Sequence, residues 1–323
     1  MAIRLLEIKT SHTRYVGDVL KSIPTVQQAS KYLAEASDVF GDLVTESLWR
    51  VIRKFGGKTE GIDPQDWIER CRKDMQKRPE FYFHELLTVR SAAQQERWRR
   101  EAWEAQRRYL RLEAGGFPLR NTAHCTSYGG CAFRGICAGD LALDGFAVRE
   151  HKHPELAEAD GEIEPLTHTM IKTLLECEEL GRLVFVENLE VPESPALSLG
   201  SAVHRGFELM DPDAAVEHLR ELRADDLEAA EVERTIRDAG MVRAMVEGGI
   251  KWWDEWPPFR EVEYRLPLVN PDTGATSRRF QLSGSIDGVW ADSLPGPAPG
   301  TSKDQRSILD RGVYAHTAAK VER

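Results

Sequence analysis

Residues 3–9 form a short apolar run that ends in charge, which suits a buried strand whose end faces a site. Residues 24–54 and 64–114 carry helical spacing. The second stretch, rich in Glu, Arg and Ala, reads as two helices broken near Pro79. Residues 115–140 lose periodicity and become rich in Gly and Cys, as a loop region does. A polar, acidic stretch at 150–164 reads as a linker, and helical spacing resumes at 167–180, 200–210 and 213–248. The pattern then changes. Residues 261–269 alternate acidic and apolar side chains, 270–274 carry a strong turn signal, and 279–290 supply the second strand of a hairpin. Beyond a Pro- and Gly-rich stretch, the polar tail from Thr301 is expected to be poorly ordered. No internal repeat is visible.

Composition narrows the class. The 323 residues are 41% hydrophobic, enough for a real core, and 30% charged, too many for a membrane protein. No apolar run approaches the ~20 residues of a transmembrane helix. The first residues lack a signal-peptide layout, so the expected location is the cytoplasm. A net charge of −10 argues against a non-specific coat of nucleic acid. It does not exclude a nuclease, whose metal-binding carboxylates add negative charge of their own.

Glu7, Ile8 and Lys9 stand on the N-terminal strand, where alternation puts Glu7 and Lys9 on one face. A carboxylate beside a lysine at a strand end can hold a divalent cation while the ammonium steadies an attacking water. Asp287, between Gly284 and Gly288, is a plausible hard-cation ligand at the end of its own strand. His204 follows Gly200 with small residues between, four residues before Glu208 on the same helix face. Gln28 and Tyr32 share a helix face, and an amide and a phenol so placed can bond a phosphate or a base. Each taken singly has a bland reading: a solvated strand, a turn aspartate, a surface histidine, an ordinary amphipathic helix.

Five cysteines are present. Cys125, Cys131 and Cys137 are evenly spaced, and Cys177 ends a short helical stretch. Four thiolates can hold a 4Fe–4S cluster or a zinc ion, with His124 an alternative zinc ligand. Cys71 sits in helical sequence and reads as a small buried residue.

Together these pieces resemble the RecB-like, iron–sulfur branch of the PD-(D/E)XK nucleases, which includes AddB-type and CRISPR-associated adaptation nucleases. That pattern runs from a cysteine-bearing helix through Gly-x-x-x-His, Gly-x-x-Asp, Glu-x-Lys-Thr and Gln-x-x-x-Tyr to three cysteines. Here Cys177, His204 and Asp287 supply its first part, and Glu7, Lys9, Thr10, Gln28, Tyr32, Cys125, Cys131 and Cys137 its second. The match covers about 1–140 and 165–292. The order is reversed, and the chain reads as a circular permutation. Exchange of halves between two chains would use the same residues.

The resemblance implies an α/β fold with a restriction-endonuclease-like central mixed sheet flanked by helices, plus a helical iron–sulfur subdomain, circularly permuted. Residues 1–149 would be the C-terminal half of that fold, 150–164 a linker, 165–295 the N-terminal half and 296–323 a disordered tail. The implied activity is Mg²⁺- or Mn²⁺-dependent hydrolysis of DNA, as an exonuclease acting in recombination or repair, with a phage context as one setting. The metal ligands would be His204, Asp287, Glu7 and the Ile8 carbonyl. Lys9 would orient the water, and Gln28 and Tyr32 would contact DNA. Cys125, Cys131, Cys137 and Cys177 would hold a structural 4Fe–4S cluster, zinc being the alternative. Partners would be single-stranded DNA or duplex ends and a separate helicase or recombination protein, with no membrane. Arginines of the 90–111 stretch, interleaved with Trp98, Trp103 and Tyr109, are candidates for strand grip; pairing with Glu96, Glu101 and Glu104 is the competing reading. A non-catalytic DNA-binding or scaffold protein keeping the metal–cysteine site is the alternative function.

Overall fold

Leu5, Leu6 and Ile8 are each at most 2% exposed, so strand β1 (Arg4–Ser11) is covered on both faces. The structure, a computed structural model, describes residues 3–12, 14–41, 43–150, 153, 163–190, 195–223, 229–292 and 313–317. Helices α1 (Val16–Ser22) and α2 (Gln27–Phe40) follow β1. The helical reading of 24–54 ends with α2, because Glu46–Arg53 is a strand, β2. Six consecutive residues of β2 are buried. A strand covered on both faces loses the alternation that separates strand from helix in a sequence.

The stretch 64–114 needs the same correction. Helices α3 (Pro64–Lys77) and α4 (Pro79–Tyr82) break at Pro79 as read. A strand, β3 (Phe83–Val89), then intervenes before α5 (Ala92–Glu113), whose start is fixed by a reciprocal Ser91–Gln94 capping box. The Gly- and Cys-rich region, expected as loop, holds a 3₁₀ helix (Thr122–Gly129) and the short α6 (Arg134–Ala138). Most of the acidic 150–164 stretch lies outside the described residues, and its end opens β4 (Glu164–Leu166). Helices α7 (His168–Glu176), α8 (Glu178–Gly181), α9 (Pro195–Leu209), α10 (Pro212–Glu221) and α11 (Ala229–Trp252) follow, so 213–248 holds two helices. The hairpin is β5 (Phe259–Val269) and β6 (Thr276–Trp290). Within the 296–323 tail, Val313–Thr317 forms β7 on β5, and the rest of that tail lies outside the described residues.

One mixed sheet collects strands from both ends of the chain, in the order β3-β2-β1-β6-β5-β7. β1 runs parallel to β2 and antiparallel to β6, with Leu5 opposite Val289 and Leu6 opposite Gly288. β5 follows one edge of the long β6. The other edge is shared: β1 pairs at 288–290, and β4 pairs in parallel at 280–282. Between them residues 283–287 have no strand partner on that edge, and the sheet forks there.

Leu6, Ile8, Leu48 and Ile52 on one face meet α3, α9, α10 and α11. On the other, Leu5, Trp49 and Val51 meet α1 and α2. A third core joins α5, α7 and α8 to Phe280 and Leu282. Among the described residues no helix is long and apolar enough to cross a membrane.

Candidate functional site: carboxylates at the sheet fork and a ring of cysteines

Glu7 and Asp287 would face each other if the β1–β6 ladder continued one step past Leu6 and Gly288. It does not. The Asp287 carboxylate instead accepts the Ile8 amide N–H at 2.5 Å, standing in for the missing strand. Lys9, two residues beyond Glu7 on the same face, sets its ammonium 2.5 Å from the Glu7 carboxylate. From α9, His204 brings Nδ1 to 3.4 Å from Asp287. Glu7, Lys9, Asp287 and His204, drawn from both ends of the sequence, thus meet within one chain.

Glu261 is a fifth member that the sequence reading missed. It lies across from Asp287, between Arg260 and Val262, which pair with Gly288 and Ile286. Its φ of +45° is the left-handed conformation that non-glycine residues rarely hold. Ser285 donates to its carboxylate at 2.9 Å, and His204 Nδ1 is 3.9 Å away. One ligand atom each from His204, Glu261 and Asp287 lies within 4.8 Å of the others. Side-chain exposure rises from Glu7 (2%) through Asp287 (10%), Glu261 (25%) and His204 (30%) to Lys9 (36%). Glu7 is therefore the floor. His204 and Glu261 open into a cleft of about 800 Å³, whose walls add Glu208, Glu217, Glu221 and Glu263.

Burial raises the Glu7 carboxyl, and the Asp287 charge raises it further, to about 7 despite Lys9. Burial works against an ionised Asp287 too, but His204, Lys9 and the Ile8 amide outweigh it and hold that carboxyl low. Burial lowers His204, yet Asp287 and Glu261 drive it well above an ordinary imidazole. Lys9 is likewise held up by Glu7 against its own burial. The second Glu7 oxygen is buried without a hydrogen-bond partner. Three carboxylates and an imidazole, with one Glu7 oxygen buried and unpartnered, form a set of hard oxygen donors and one nitrogen donor. Such a set suits a divalent cation.

Gln28 and Tyr32 lie on α2 facing Glu7: the Gln28 amide donates to Glu7 at 2.9 Å and to the Tyr32 hydroxyl at 2.7 Å. Between and beyond them Lys31 and Glu35, both 0% exposed, are paired at 2.6 Å. His168, the first residue of α7, is held neutral by burial and by the Lys31 and Lys9 ammonium groups, which pull its pKa to about 3. Nothing in the sequence set Lys31, Glu35 or His168 apart.

The arginine helix α5 favours the bland reading. Arg99 pairs with Asp38, Arg100 with Asp272, Arg107 with Glu104, and Arg108 and Arg111 reach Glu178. Trp98 and Tyr109 are each 1% exposed, so neither can stack on a base.

The second site stands on short helical segments and the links between them. Cys125, Cys131, Cys137 and Cys177 line one cavity of about 180 Å³ with Phe133 and Leu183. Cys177 caps the end of α7, and the Asn121 amide points at its sulfur from 3.5 Å. Leu119 donates to Glu178, Asn121 to the Glu176 carbonyl, and Arg120 to the Cys137 carbonyl, stitching the loop to α7 and α6. Burial raises the thiols of Cys131 and Cys137, and their cysteine neighbours add to the effect. His124 lines the same cavity, its Nδ1 3.7 Å from Glu176. Among the described residues the one set of three metal-donor atoms within 4.8 Å of one another is at the fork, so the sulfurs ring their cavity more widely. Cys71 is buried in a separate core, beside Trp67 and Met75. No family model matches the chain, and neither a curated protein nor a solved structure matches it.

Proposed function

We propose that this chain is a metal-dependent deoxyribonuclease of the RecB-like PD-(D/E)XK type, acting as an exonuclease and carrying a 4Fe–4S cluster on Cys125, Cys131, Cys137 and Cys177. The observation that carries the reading is the meeting of Glu7, Lys9, Asp287 and His204 at the sheet fork. Two motif sets in reversed order complete one site within one chain, which supports the circular permutation.

Glu7, Asp287, His204 and the Ile8 carbonyl would hold Mg²⁺ or Mn²⁺, and Glu261 joins them as a carboxylate in reach. A cation held there would supply the charge that polarises a phosphate oxygen and eases deprotonation of a water. Lys9, fixed by Glu7, presents an ammonium to that water and to the charge building on the phosphate. Gln28 and Tyr32 hold Glu7 in place and border the path of the strand. The acidic cleft repels a phosphate backbone until cations enter, which ties DNA binding to metal binding.

Four cysteines around one cavity offer the donor set of a 4Fe–4S cluster, with zinc the alternative. The test is cleavage of 5′- or 3′-labelled single-stranded DNA with Mn²⁺ by wild type and Asp287→Ala. Metal-dependent shortening of the wild-type substrate, lost in the variant, is expected; undiminished cleavage by Asp287→Ala rules out this site.

A further inference from the structure

Lys31 donates to Glu35 at 2.6 Å and to the Tyr264 hydroxyl, which in turn donates to Glu35. All three residues are at most 2% exposed, and they close a triangle between α2 and β5. The opposing strand leaves room for it at one residue. A Cβ built on Gly284 would stand 2.5 Å from the Tyr264 oxygen and 3.1 Å from the Lys31 nitrogen. The φ of Gly284 is not among the positive ones, so contact, and not backbone conformation, demands the glycine.

Replacing a buried ion pair by apolar residues is often neutral or stabilising, so stability is a poor explanation for this one. Register is a better one. Gln28, Lys31, Tyr32 and Glu35 lie on one face of α2 at helical spacing. An α-helix turns ~100° per residue, so a slip of one residue would carry Gln28 away from Glu7. Apolar neighbours such as Leu33 and Ala36 tolerate such slips better than a three-way polar contact does.

We infer that Lys31, with Glu35 and Tyr264, is a positioning residue: the triangle locks α2 in the one register that sets Gln28 and Tyr32 against Glu7, and Gly284 is the space it requires. The catalytic part of this inference rests on the nuclease reading above; the locking itself does not.

The experiment compares wild type with Gly284→Ala, Tyr264→Phe, Gly284→Ala/Tyr264→Phe and the apolar triple Lys31→Met/Glu35→Leu/Tyr264→Phe. Three quantities are read: Tm, the NMR signals of the Gln28 side-chain amide (assigned against Gln28→Ala), and kcat and KM for Mn²⁺-dependent cleavage of a single-stranded oligonucleotide. Gly284→Ala is expected to lower Tm by several degrees, and adding Tyr264→Phe to restore most of it, since the hydroxyl is what the new Cβ strikes. The triple variant should stay folded with Tm near wild type. Its Gln28 amide signals should broaden, and kcat should fall about tenfold with KM little changed. Gly284→Ala tolerated without loss, or not rescued by Tyr264→Phe, overturns the inference. So does a triple variant with sharp, unshifted Gln28 signals or undiminished kcat. A wild type that cleaves nothing, with rescue and Gln28 broadening as expected, refutes the nuclease reading and upholds the lock.

Discussion

The fork and the cysteine ring solve the same problem by opposite means. Each gathers four or five chemically active side chains from distant parts of the chain. At the fork they stand on regular elements: Glu7 and Lys9 on β1, Asp287 on β6, Glu261 on β5, His204 on α9. The Asp287–Ile8 bond and the Glu7–Lys9 pair hold that geometry with protein atoms alone. The cysteine ring stands on a 3₁₀ helix, a five-residue α-helix, the link between them and a helix cap. Three of its cysteines are partly exposed, and its loop is tied down by hydrogen bonds from Leu119, Arg120 and Asn121 and by the buried Phe133, which packs beside Phe146. A scaffold-borne site is shaped before its metal arrives, whereas a loop-borne one draws its order from the metal.

The comparison breaks most visibly at Asp287. Asp287→Asn keeps an acceptor for the Ile8 amide while deleting the charge. Mn²⁺-dependent cleavage should drop on the order of 10³-fold with the circular dichroism spectrum and Tm nearly unchanged; a large loss of Tm would mean the fork is not held by its scaffold. At the other site the pattern inverts. Cys177→Ser should lose iron and sulfide and expose 115–145 to limited proteolysis, with the fork still binding Mn²⁺. Cys71→Ser should retain the iron and lose about 1–3 kcal/mol from a hydroxyl buried in an apolar core. Iron lost from Cys71→Ser and kept in Cys177→Ser would reverse the assignment.

Acidity supplies a subtler contrast. The folded Glu7 carboxyl, at about 7, lies above its ordinary 4.5, so the folded chain holds a proton the unfolded chain has shed between those values. Stability of the cation-free protein should therefore fall as pH rises across that window, and Mn²⁺ affinity should climb toward pH 7 and then level. Glu7→Gln should flatten the stability trend in urea titrations at pH 5 and 6, below the range in which the raised His204 adds a fall of its own; an unchanged trend would assign it to another group. The smallest effect belongs to Glu261→Gly. Relief of the left-handed φ should leave Tm unchanged or slightly higher while Mn²⁺ binding weakens, and a clear fall in Tm would show that the strain is not real.

Much of the fork was legible, because a strand with Glu and Lys on one face and a hairpin ending in Asp each leave a period-two trace. Glu261 left none. Counting back from the 270–274 turn misplaces it, since the β5–β6 register shifts between Pro267 and Val269. β2 was hidden for a different reason. Arg50 interrupts its apolar run, yet it is 3% exposed, bonded to Glu85 and the Glu255 carbonyl and packed over Trp253 and Trp256. Its partners lie far off in sequence, so local pattern made a buried arginine look like a helix surface. Lys31 was hidden in the same way by Tyr264.

The pairing of Leu5 with Val289 has a kinetic consequence. Loop closure over nearly the whole chain must precede it, and contacts of such separation form late. During synthesis β1 emerges before β6 and waits, that edge unpaired, until β6 follows at about 5–20 residues per second. The fork carboxylates therefore cannot meet before β6 has been made. Whatever activity the fork has is switched on by completion of folding, and a chain truncated before β6 would be born inert.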